Sequence, residues 1–328
     1  MIIDNWFYHV FTTKVNIPAS TVQIGYNDKL MTLGSCFAEN IGKKLTDAFF
    51  QVNINPFGVL YNPMSVNDSL QKLMGNDFYT ETELFEHQSL WHSFSHSSLY
   101  SGETKKECLQ KINASLQEAR KFLQETRFLL ITFGTAWIYE NTEDGKTVAN
   151  CHKLPANRFH RRRLSVTEIG EKFTILLSQL KARNPHLEVI FTVSPIRHWK
   201  DGAHENNVSK SVLHLAIEEL KEKFPFVHYF PAYEIQLDEL RDYRFYAPDM
   251  LHPSETAVDY IWKRFSETYF GKETEGLKKE LEQLRADLNH RPLHPESSEY
   301  QQFLKSVEKR KAKLQEKYPG LGSLLEGK

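Results

Sequence analysis

The sequence predicts an α/β protein: a three-layer α/β/α sandwich around a doubly wound, mainly parallel sheet of five strands. Short apolar runs alternate along the 328 residues with longer amphipathic stretches, and this order is typical of parallel strands joined by crossover helices. The composition, with 40% hydrophobic, 25% charged and 12% aromatic residues, is that of a folded globular protein and not of a disordered chain.

The apolar runs are the predicted strands, and the amphipathic stretches are the predicted helices. We predict strands at 30–34, 51–54, 128–133, 188–193 and 226–230. Apolar residues recur at helical spacing at Phe37, Ile41 and Leu45 and, over 104–125, at Cys108, Ile112, Leu116 and Leu123. Further helices are predicted over 165–183, 207–223 and 254–269. Because ligands of doubly wound sheets bind outside the carboxyl ends of the strands, the site should gather residues from strand-to-helix loops.

Two segments interrupt this alternation and are predicted to be insertions near the site. Residues 83–100 alternate in polarity as a β-hairpin does. The second insertion covers about 136–160 and contains Glu143-Asp144-Gly145, a good turn between short strands.

The last part of the chain has a different composition. From residue 271, Lys, Glu, Gln and Leu are interleaved, and Pro292 and Pro295 break the run, which predicts two exposed helices outside the core. We therefore predict a main domain over 1–270 and a charged helical extension over 271–328. The extension is either solvated or a surface for homo-oligomer formation.

The charge balance limits the class of partner. The chain has 41 basic and 42 acidic residues and a formal net charge of -1, so no global field attracts nucleic acid or an anionic membrane. The basic run His160-Arg161-Arg162-Arg163 is interpreted as a solvated face or a loop clamp. No glycine-rich phosphate-binding motif is present, so we expect a small-molecule partner, with no nucleic acid and no membrane.

The cysteines and the N-terminal stretch predict a cytoplasmic protein. Cys36, Cys108 and Cys151 are an odd number without repeated spacing, which fits neither a disulfide framework nor a zinc ribbon. The first 18 residues contain Asp4 and no uninterrupted apolar run, so we expect no secretory signal. No segment is long and apolar enough to cross a bilayer.

The first motif with chemical potential is the string LMTLGSCFAENIGKKL, a strand that passes directly into a helix. Gly34 allows a tight turn, and Ser35 then lies at a helix N-terminus, where free backbone N–H groups favour an anionic oxygen. This arrangement suits a nucleophile, although a serine at this position also serves as an ordinary helix cap. A thiolate nucleophile at Cys36 is the alternative.

The second motif, YAPDMLHPSETAVDYIW, contains Asp249 and His252 just before an amphipathic helix. A serine hydroxyl becomes a good nucleophile when a base removes its proton, and a carboxylate fixes the tautomer of that base. One loop could supply both groups. The alternative is a turn in which Asp249 makes local hydrogen bonds and His252 has no special role.

Together the two motifs resemble the SGNH or GDSL hydrolase superfamily and, more specifically, the GSCFA family, named after the string found here at 34–38. Similar strings are NPFGVLYNP (55–63), ITFGTAW (131–137), NCHKLP (150–155) and TVSPIRH (192–198). The resemblance covers roughly residues 20–270 and implies a flavodoxin-like sheet. It implies a catalytic triad of Ser35, His252 and Asp249, which needs no metal and no organic cofactor.

The resemblance also implies an oxyanion hole formed by the backbone N–H groups of Ser35 and Gly58. The third superfamily block normally reads G-x-N-D, with Asn as a further donor, but here it reads Gly134-Thr135-Ala136-Trp137. The hydroxyl of Thr135, or the amide of Asn55, Asn62 or Asn150, could replace the missing Asn, and the sequence does not choose among them.

Five residues are predicted to bind substrate: Asn62, Thr135, His152, Arg197 and His198. Arg197 and His198 follow the strand at 188–193, and an arginine offers a fixed fork of donors to an anionic or hydroxyl-rich substrate. The alternative is that both side chains tie loops together. A zinc site built from Cys36, Cys151, His152 and His252 lacks the pair spacing of structural zinc.

The resulting hypothesis is a serine-dependent esterase or acyl-transfer enzyme that acts on O-acyl esters, chiefly O-acetyl esters of carbohydrates. The competing hypothesis is a catalytically idle domain of the same fold that binds a carbohydrate or a protein partner. The missing third-block Asn favours the second hypothesis, and the presence of all three triad residues favours the first.

Overall fold

The computed structural model describes residues 12–288, 290 and 292–318. The strands are β1 (Lys29–Gly34), β2 (Gln51–Ile54), β3 (Leu84–His87), β4 (Leu90–Ser93), β5 (Thr126–Phe133), β6 (Trp137–Asn141), β7 (Thr147–Val148), β8 (Phe159–Arg163), β9 (Glu188–Val193) and β10 (Val227–Tyr229). The helices are α1 (Cys36–Asp47), α2 (Pro63–Met74), α3 (Lys105–Gln124), α4 (Val166–Arg183), α5 (Gly202–Lys223), α6 (Ala232–Glu234), α7 (Glu255–Tyr269), α8 (Lys272–Leu288) and α9 (Ser298–Lys317).

The central sheet has five strands in the order β10-β9-β5-β1-β2, and every neighbouring pair is parallel. This order is the flavodoxin-like winding, in which the chain first moves outward to β2 and then returns across β1 to β5. All five predicted strands are confirmed. The loops that follow β1 and β5 leave in opposite directions, so a crevice opens between them at the carboxyl edge of the sheet.

Helices cover both faces of the sheet, as the predicted three-layer sandwich requires. Leu129 and Ile131 of β5 belong to a hydrophobic cluster with residues of α2, α3, α4 and α5. Phe128 and Leu130 of the same strand belong to a second cluster with residues of α1, α7, α8 and α9. Because successive residues of a strand point to opposite faces, an apolar strand such as β5 needs both helical layers.

The predicted helices correspond to α1, α3, α4, α5 and α7, although α5 begins at Gly202 and not near residue 207. Helix α2 was not predicted. Asn62 caps it by accepting a hydrogen bond from the Ser65 backbone N–H at 2.8 Å, and Pro63 occupies the first turn, where its missing N–H does no harm. The polar residues Asn67 and Asp68 mask its apolar face in the sequence.

Both predicted insertions contain small antiparallel sheets. Residues 83–100 include the hairpin β3–β4, and the predicted turn at 143–145 joins β6 to β7. Strand β8 also pairs with β6 and was missed because its sequence is the basic run. Its arginines form ion pairs, namely Arg161 with Asp201, Arg162 with Glu140 and Glu168, and Arg163 with Glu205. The basic run is therefore a loop clamp.

The C-terminal prediction is correct about the two helices and wrong about their position. Helices α8 and α9 do not lie outside the core, because Leu281, Leu284, Val307 and Leu314 are at most 4% exposed and belong to the second hydrophobic cluster. The charged residues between these apolar residues conceal an apolar stripe, which covers α1 and α7.

No helix among the described residues is long and apolar enough to span a bilayer. The prediction that there is no secretory signal was made from the first 18 residues, and residues 1–11 lie outside the described residues.

A buried ion pair joins α7 to the segment before it. Arg264 and Glu239 are 8% and 1% exposed, and Arg264 Nη1 lies 2.6 Å from both carboxylate oxygens. The backbone of Val15 completes the site, because its N–H donates to Glu239 at 3.2 Å and its carbonyl accepts from Arg264 at 2.8 Å. The hydroxyl of Tyr260 also donates to Glu239.

We predict that Arg264→Met lowers the free energy of unfolding by about 3–5 kcal/mol, because it leaves a buried carboxylate without its cation. Lys263→Met, at the exposed neighbouring position, should change it by less than about 0.5 kcal/mol. Urea denaturation of both variants measures the difference. The double variant Arg264→Met with Glu239→Gln should recover part of the loss. Equal stability of Arg264→Met and Lys263→Met would contradict the prediction.

Candidate active site

Ser35 lies at the carboxyl end of β1 and caps α1. Its side chain is almost completely buried, and its Oγ accepts a hydrogen bond from the Phe37 N–H at 3.3 Å. The preceding Gly34 has φ +134°, and a Cβ added there would lie 2.1 Å from the Thr132 carbonyl oxygen. Only glycine allows β1 and β5 to approach this closely, so the turn fixes Ser35 beside the end of β5.

Asp249 and His252 form a hydrogen-bonded pair in the loop before α7. His252 Nδ1 lies 2.5 Å from Asp249 Oδ2, and Asp249 Oδ1 accepts the backbone N–H groups of Leu251 and His252 at 2.9 Å each. The His252 N–H, the Leu251 N–H and the His252 ring, in that order, lower the pKa of Asp249 to about 2. An ionised carboxylate here keeps the proton of the neutral ring on Nδ1 and leaves Nε2 as the acceptor.

Ser35 and His252 line the same cavity, which has a volume of about 730 Å³. It lies at the carboxyl edge of the sheet, and its wall is completed by aromatic residues of the second insertion and of the loop after β9, namely Trp137, Tyr139, Phe159 and Trp199. Among the hydrogen bonds of the described residues, none joins Ser35 to His252. Catalytic hydrogen bonds are often long or poorly aligned before substrate binds.

The predicted oxyanion hole needs correction. The Ser35 N–H donates to the Thr132 carbonyl at 3.1 Å, and the Gly58 N–H donates to the Asn55 carbonyl at 2.7 Å. Ser35 continues the hydrogen-bond ladder between β1 and β5, and Gly58 closes a turn. Gly58 has φ +76°, and a Cβ there would lie 1.9 Å from Ser97 Oγ, so this glycine allows close packing. Neither N–H group is free to bind an oxyanion.

The third-block loop is held by two buried polar residues of α5 that were not predicted from the sequence. Ser209 Oγ accepts from the Ala136 N–H at 2.8 Å and shares a hydrogen bond with Thr135 Oγ1 at 3.0 Å. Lys210, 2% exposed, donates from Nζ to the carbonyls of Gly134 and Ser194 at 2.6 and 2.7 Å. Burial, and then Arg197, lower the pKa of Lys210 to about 7. Polar residues on the buried face of this amphipathic helix were the signal in the sequence that could have identified them.

The residues considered as replacements for the missing Asn are engaged elsewhere or lie outside the cavity. The amide of Asn62 bonds to Ser65 through both of its polar atoms. Asn150 Nδ2 donates to Ser98 Oγ at 3.4 Å, and Asn150 Oδ1 accepts from the His152 N–H at 2.9 Å. Asn55 Oδ1 accepts from the Gly34 N–H at 2.9 Å. Asn55 Nδ2 has no hydrogen-bond partner among the described residues, but Asn55 does not line the cavity. Thr135 is bonded to Ser209, as described above.

Four of the five predicted substrate-binding residues line the cavity: Asn62, Thr135, Arg197 and His198. His152 does not, and this prediction needs correction. Its side chain is buried, with Nε2 2.9 Å from the Ser93 carbonyl and Nδ1 3.3 Å from Ser98 Oγ. The ring therefore ties its loop to the first insertion, and burial lowers its pKa to about 4.

Arg197 and His198 lie together at the cavity rim. The Arg197 guanidinium stacks over the Trp199 ring at 4.9 Å and donates to Asn207 at 3.3 Å. The His198 backbone N–H donates to Asn206 at 2.9 Å. Burial, then Lys210 and His252, lower the pKa of the His198 ring to about 4, so the ring is neutral at physiological pH.

The alternatives considered from the sequence find less support in this geometry. Cys36 Sγ lies 3.6 Å from the Tyr61 hydroxyl and does not line the cavity. Among the residues that the structure describes, no group of three or more His, Cys, Asp or Glu side chains is arranged to hold a metal ion.

The sequence profile of the GSCFA family matches residues 29–265, and a second profile, described as the C-terminal domain of GSCFA domain proteins, matches residues 281–324. No curated protein matches the sequence. Similar solved structures include an acetyl xylan esterase from Butyrivibrio proteoclasticus, with 12% identity, a TM-score of 0.38 and coverage of 74% of this chain. This chain spans 64% of the length of that esterase.

Two further similar structures are carbohydrate esterases. The family 3 carbohydrate esterase of Clostridium thermocellum has 12% identity and a TM-score of 0.33, and the matched region covers 77% of this chain and 98% of that one. The family 3 enzyme of Talaromyces cellulolyticus has 13% identity and a TM-score of 0.33, with coverage of 77% and 99%.

We predict that Gly34→Ala destabilises the protein more than Gly145→Ala. Both glycines have positive φ, but an added Cβ meets the Thr132 carbonyl at Gly34 and nothing within 4 Å at Gly145. Gly145→Ala should cost about 1–2 kcal/mol for its backbone conformation alone, and Gly34→Ala should cost a further 1–3 kcal/mol, roughly the penalty for overpacking. Urea denaturation tests this, and equal losses would mean that β1 and β5 separate easily.

We also predict that the Asp249 carboxyl titrates near pH 2. Because its pKa is lowered by folding, its stabilising effect on the loop is present above the ordinary pKa of 3.8 and disappears as the pH falls toward 2. Carbon-13 NMR of the side-chain carboxyl measures this pKa. In His252→Ala the two backbone donors remain, so the pKa should stay below 3.8, and an ordinary value in that variant would show that the imidazole alone is responsible.

Proposed function

Since the chain belongs to the GSCFA family, we propose that it is a serine-dependent esterase or acyl transferase in which Ser35 is the nucleophile. His252 is the base, and Asp249 orients it. The observation that carries the proposal is the Asp249–His252 hydrogen bond of 2.5 Å in a loop that lines the same cavity as Ser35. Serine, base and carboxylate are the three groups that acyl transfer through a covalent intermediate requires.

The proposed reaction has two steps. His252 Nε2 takes the proton of Ser35 Oγ while the oxygen attacks the ester carbonyl, and the tetrahedral intermediate then expels the alcohol, which receives that proton. In the second step His252 activates water, which releases the acid, or a sugar hydroxyl, which accepts the acyl group. Asp249 stays ionised throughout and stabilises the imidazolium in both steps.

The cavity wall supports an O-acetylated saccharide as the substrate class. Aromatic rings and a few polar groups are the usual lining of small-molecule sites, and flat rings such as Trp137 and Trp199 suit the apolar face of a sugar. Arg161 stacks over Trp137 at 4.2 Å and forms a two-fold ion pair with Asp201 at 2.5 and 2.6 Å. The charge of Arg161 is neutralised in this way, whereas Arg197 and Lys200, which also line the cavity, bond to Asn207 and Tyr139 and form no ion pair among the described residues.

The second candidate function is a catalytically idle domain that binds a carbohydrate or protein partner. Two observations favour it: the Ser35 and Gly58 N–H groups donate to protein carbonyls, and Ser35 is not bonded to His252 among the described residues. A binding domain would use the same cavity without needing either contact.

Hydrolysis of p-nitrophenyl acetate and labelling by a serine-directed phosphonate test the proposed function. Ser35→Ala should reduce the rate to background and remove the label, because both need the nucleophile. His252→Ala and Asp249→Ala should each lower kcat by about 10⁴-fold or more. The exposed-site variants Ser178→Ala and His186→Ala are the controls and should match the wild type.

An idle binding domain would give a different result. The wild type would then hydrolyse the ester no faster than Ser35→Ala, and the phosphonate would leave Ser35 unmodified. Where turnover occurs, adding a saccharide acceptor to the assay separates hydrolysis from transfer, because a transferase forms the acetylated sugar in place of free acetate.

A further inference from the structure

An acyl-transfer site needs a hydrogen-bond donor for the carbonyl oxygen that becomes negatively charged, and the obvious donors are occupied here. The backbone N–H groups of Ser35 and Gly58 donate to protein carbonyls, and Ala136 has no side-chain donor. The hydroxyl of Thr135 is bonded to Ser209, and the amide of Asn62 caps α2. A donor on another side chain that faces the cavity would meet this need.

Several side chains that line the cavity have a buried polar atom without a hydrogen-bond partner in the described part of the chain: Ser97 Oγ, Trp137 Nε1, Arg161 Nε, Arg197 Nε and His198 Nε2. Among them, His198 Nε2 lies beside Gly134 and Ser35, whereas Ser97 Oγ lies against Gly58. A Cβ added to Gly134 would lie 3.1 Å from His198 Nε2 and 3.5 Å from Ser35 Cβ. The imidazole and the nucleophile therefore flank the same small space at the end of β5.

We propose that His198 is a further catalytic residue, which donates a hydrogen bond from Nε2 to the carbonyl oxygen of the ester while Ser35 attacks the carbonyl carbon. The proposal rests on the proposed function. His198 makes and breaks no covalent bond in this role: its N–H bond stays intact, and the Ser35 proton still passes to His252. The ligand is the acyl carbonyl itself, so the role does not depend on the identity of the alcohol.

The position of His198 suits a preorganised donor. Its backbone is held by Asn206, and its ring packs edge-on against Tyr61, with the ring centroids 5.6 Å apart. The backbone of Tyr61 is held in turn, because its carbonyl accepts the N–H groups of Gly134 and Thr135 at 2.8 and 2.9 Å. A donor that is already in place when charge develops needs no reorganisation, and such donors contribute most to acyl transfer.

The electrostatic surroundings support a neutral donor and disfavour a second base. Burial disfavours a positive charge on His198 most, followed by Lys210 and His252, and only Asp201 acts in the opposite direction. No carboxylate among the described residues hydrogen-bonds to the His198 ring, whereas Asp249 bonds to His252. The two histidines therefore have different chemical roles: His252 accepts the serine proton, and His198 offers an N–H group.

Substitutions that keep or remove the donor at the position of Nε2 test the proposal. Gln places an amide N–H close to the position of His Nε2, so His198→Gln should keep kcat for p-nitrophenyl acetate within about tenfold of the wild type. His198→Asn, of similar polarity but too short, and His198→Ala should both lower kcat by about 10²–10³-fold, the typical effect of losing one such donor. His252→Gln is the matched control and should not retain activity, because an amide cannot replace a base.

A second measurement does not depend on turnover. A phosphonate bound to Ser35 carries an oxygen where the oxyanion would form, so nitrogen-15 and proton NMR of the wild-type adduct should show a downfield shift of the His198 Nε2–H resonance. Because the three His198 variants retain His252, their labelling at Ser35 reports whether the site is still folded. A purely structural role of His198 would lower stability without producing the shift.

The outcomes separate this proposal from the proposed function. If the phosphonate does not label wild-type Ser35 and no ester is hydrolysed, both are overturned. Suppose instead that the phosphonate labels wild-type Ser35 and that the wild type hydrolyses the ester. If His198→Asn and His198→Ala then keep kcat within a few-fold and the adduct shows no shift, only the role of His198 is overturned. Retention of activity in His198→Gln, its loss in His198→Asn and the NMR shift together support the proposal.

Discussion

The close approach of β1 and β5 at their carboxyl ends is the constraint on which the candidate site depends. Gly34 lies against the Thr132 carbonyl, and the Ser35 N–H donates to that same oxygen. This contact fixes the serine at the point where the winding of the sheet reverses and a crevice opens. It also uses the backbone donor of Ser35, so the proposed acyl transfer at this serine would need a donor from a side chain.

Buried polar residues of α5 connect the stability of the sheet edge to the site. Lys210 binds the carbonyls at the ends of β5 and β9, and Ser209 holds the loop after β5. A buried ammonium or amine is costly without partners, and these two carbonyls would be unsatisfied without Lys210. The loop that follows β9 carries His198, and the loop that follows β5 carries Gly134. The same two hydrogen bonds therefore set the spacing between the proposed donor and Ser35.

Strands and helices could be predicted from the sequence where the pattern that indicates them lies within neighbouring residues. Strand β9 was predicted with its observed ends, since an apolar run bounded by polar residues needs no distant partner to be recognised. Helix α2 was missed because its polar residues hide its apolar face, and β8 was missed because its arginines are paired with residues far away in sequence, such as Asp201. The C-terminal helices were placed outside the core because alternating charges concealed Leu281 and Leu314, which are buried.

The sequence by itself determined the five-stranded α/β architecture, the position of Ser35 at a strand-to-helix turn and the closeness of Asp249 to His252, which lie three residues apart in one loop. These features follow from periodicity and short-range hydrogen bonding, which are properties of neighbouring residues. Only the tertiary structure decided that the Ser35 and Gly58 N–H groups are occupied, that His152 ties two loops together and that His198 lies beside the serine. Hydrogen-bond partners and burial at these positions come from segments distant along the chain, so no local pattern records them.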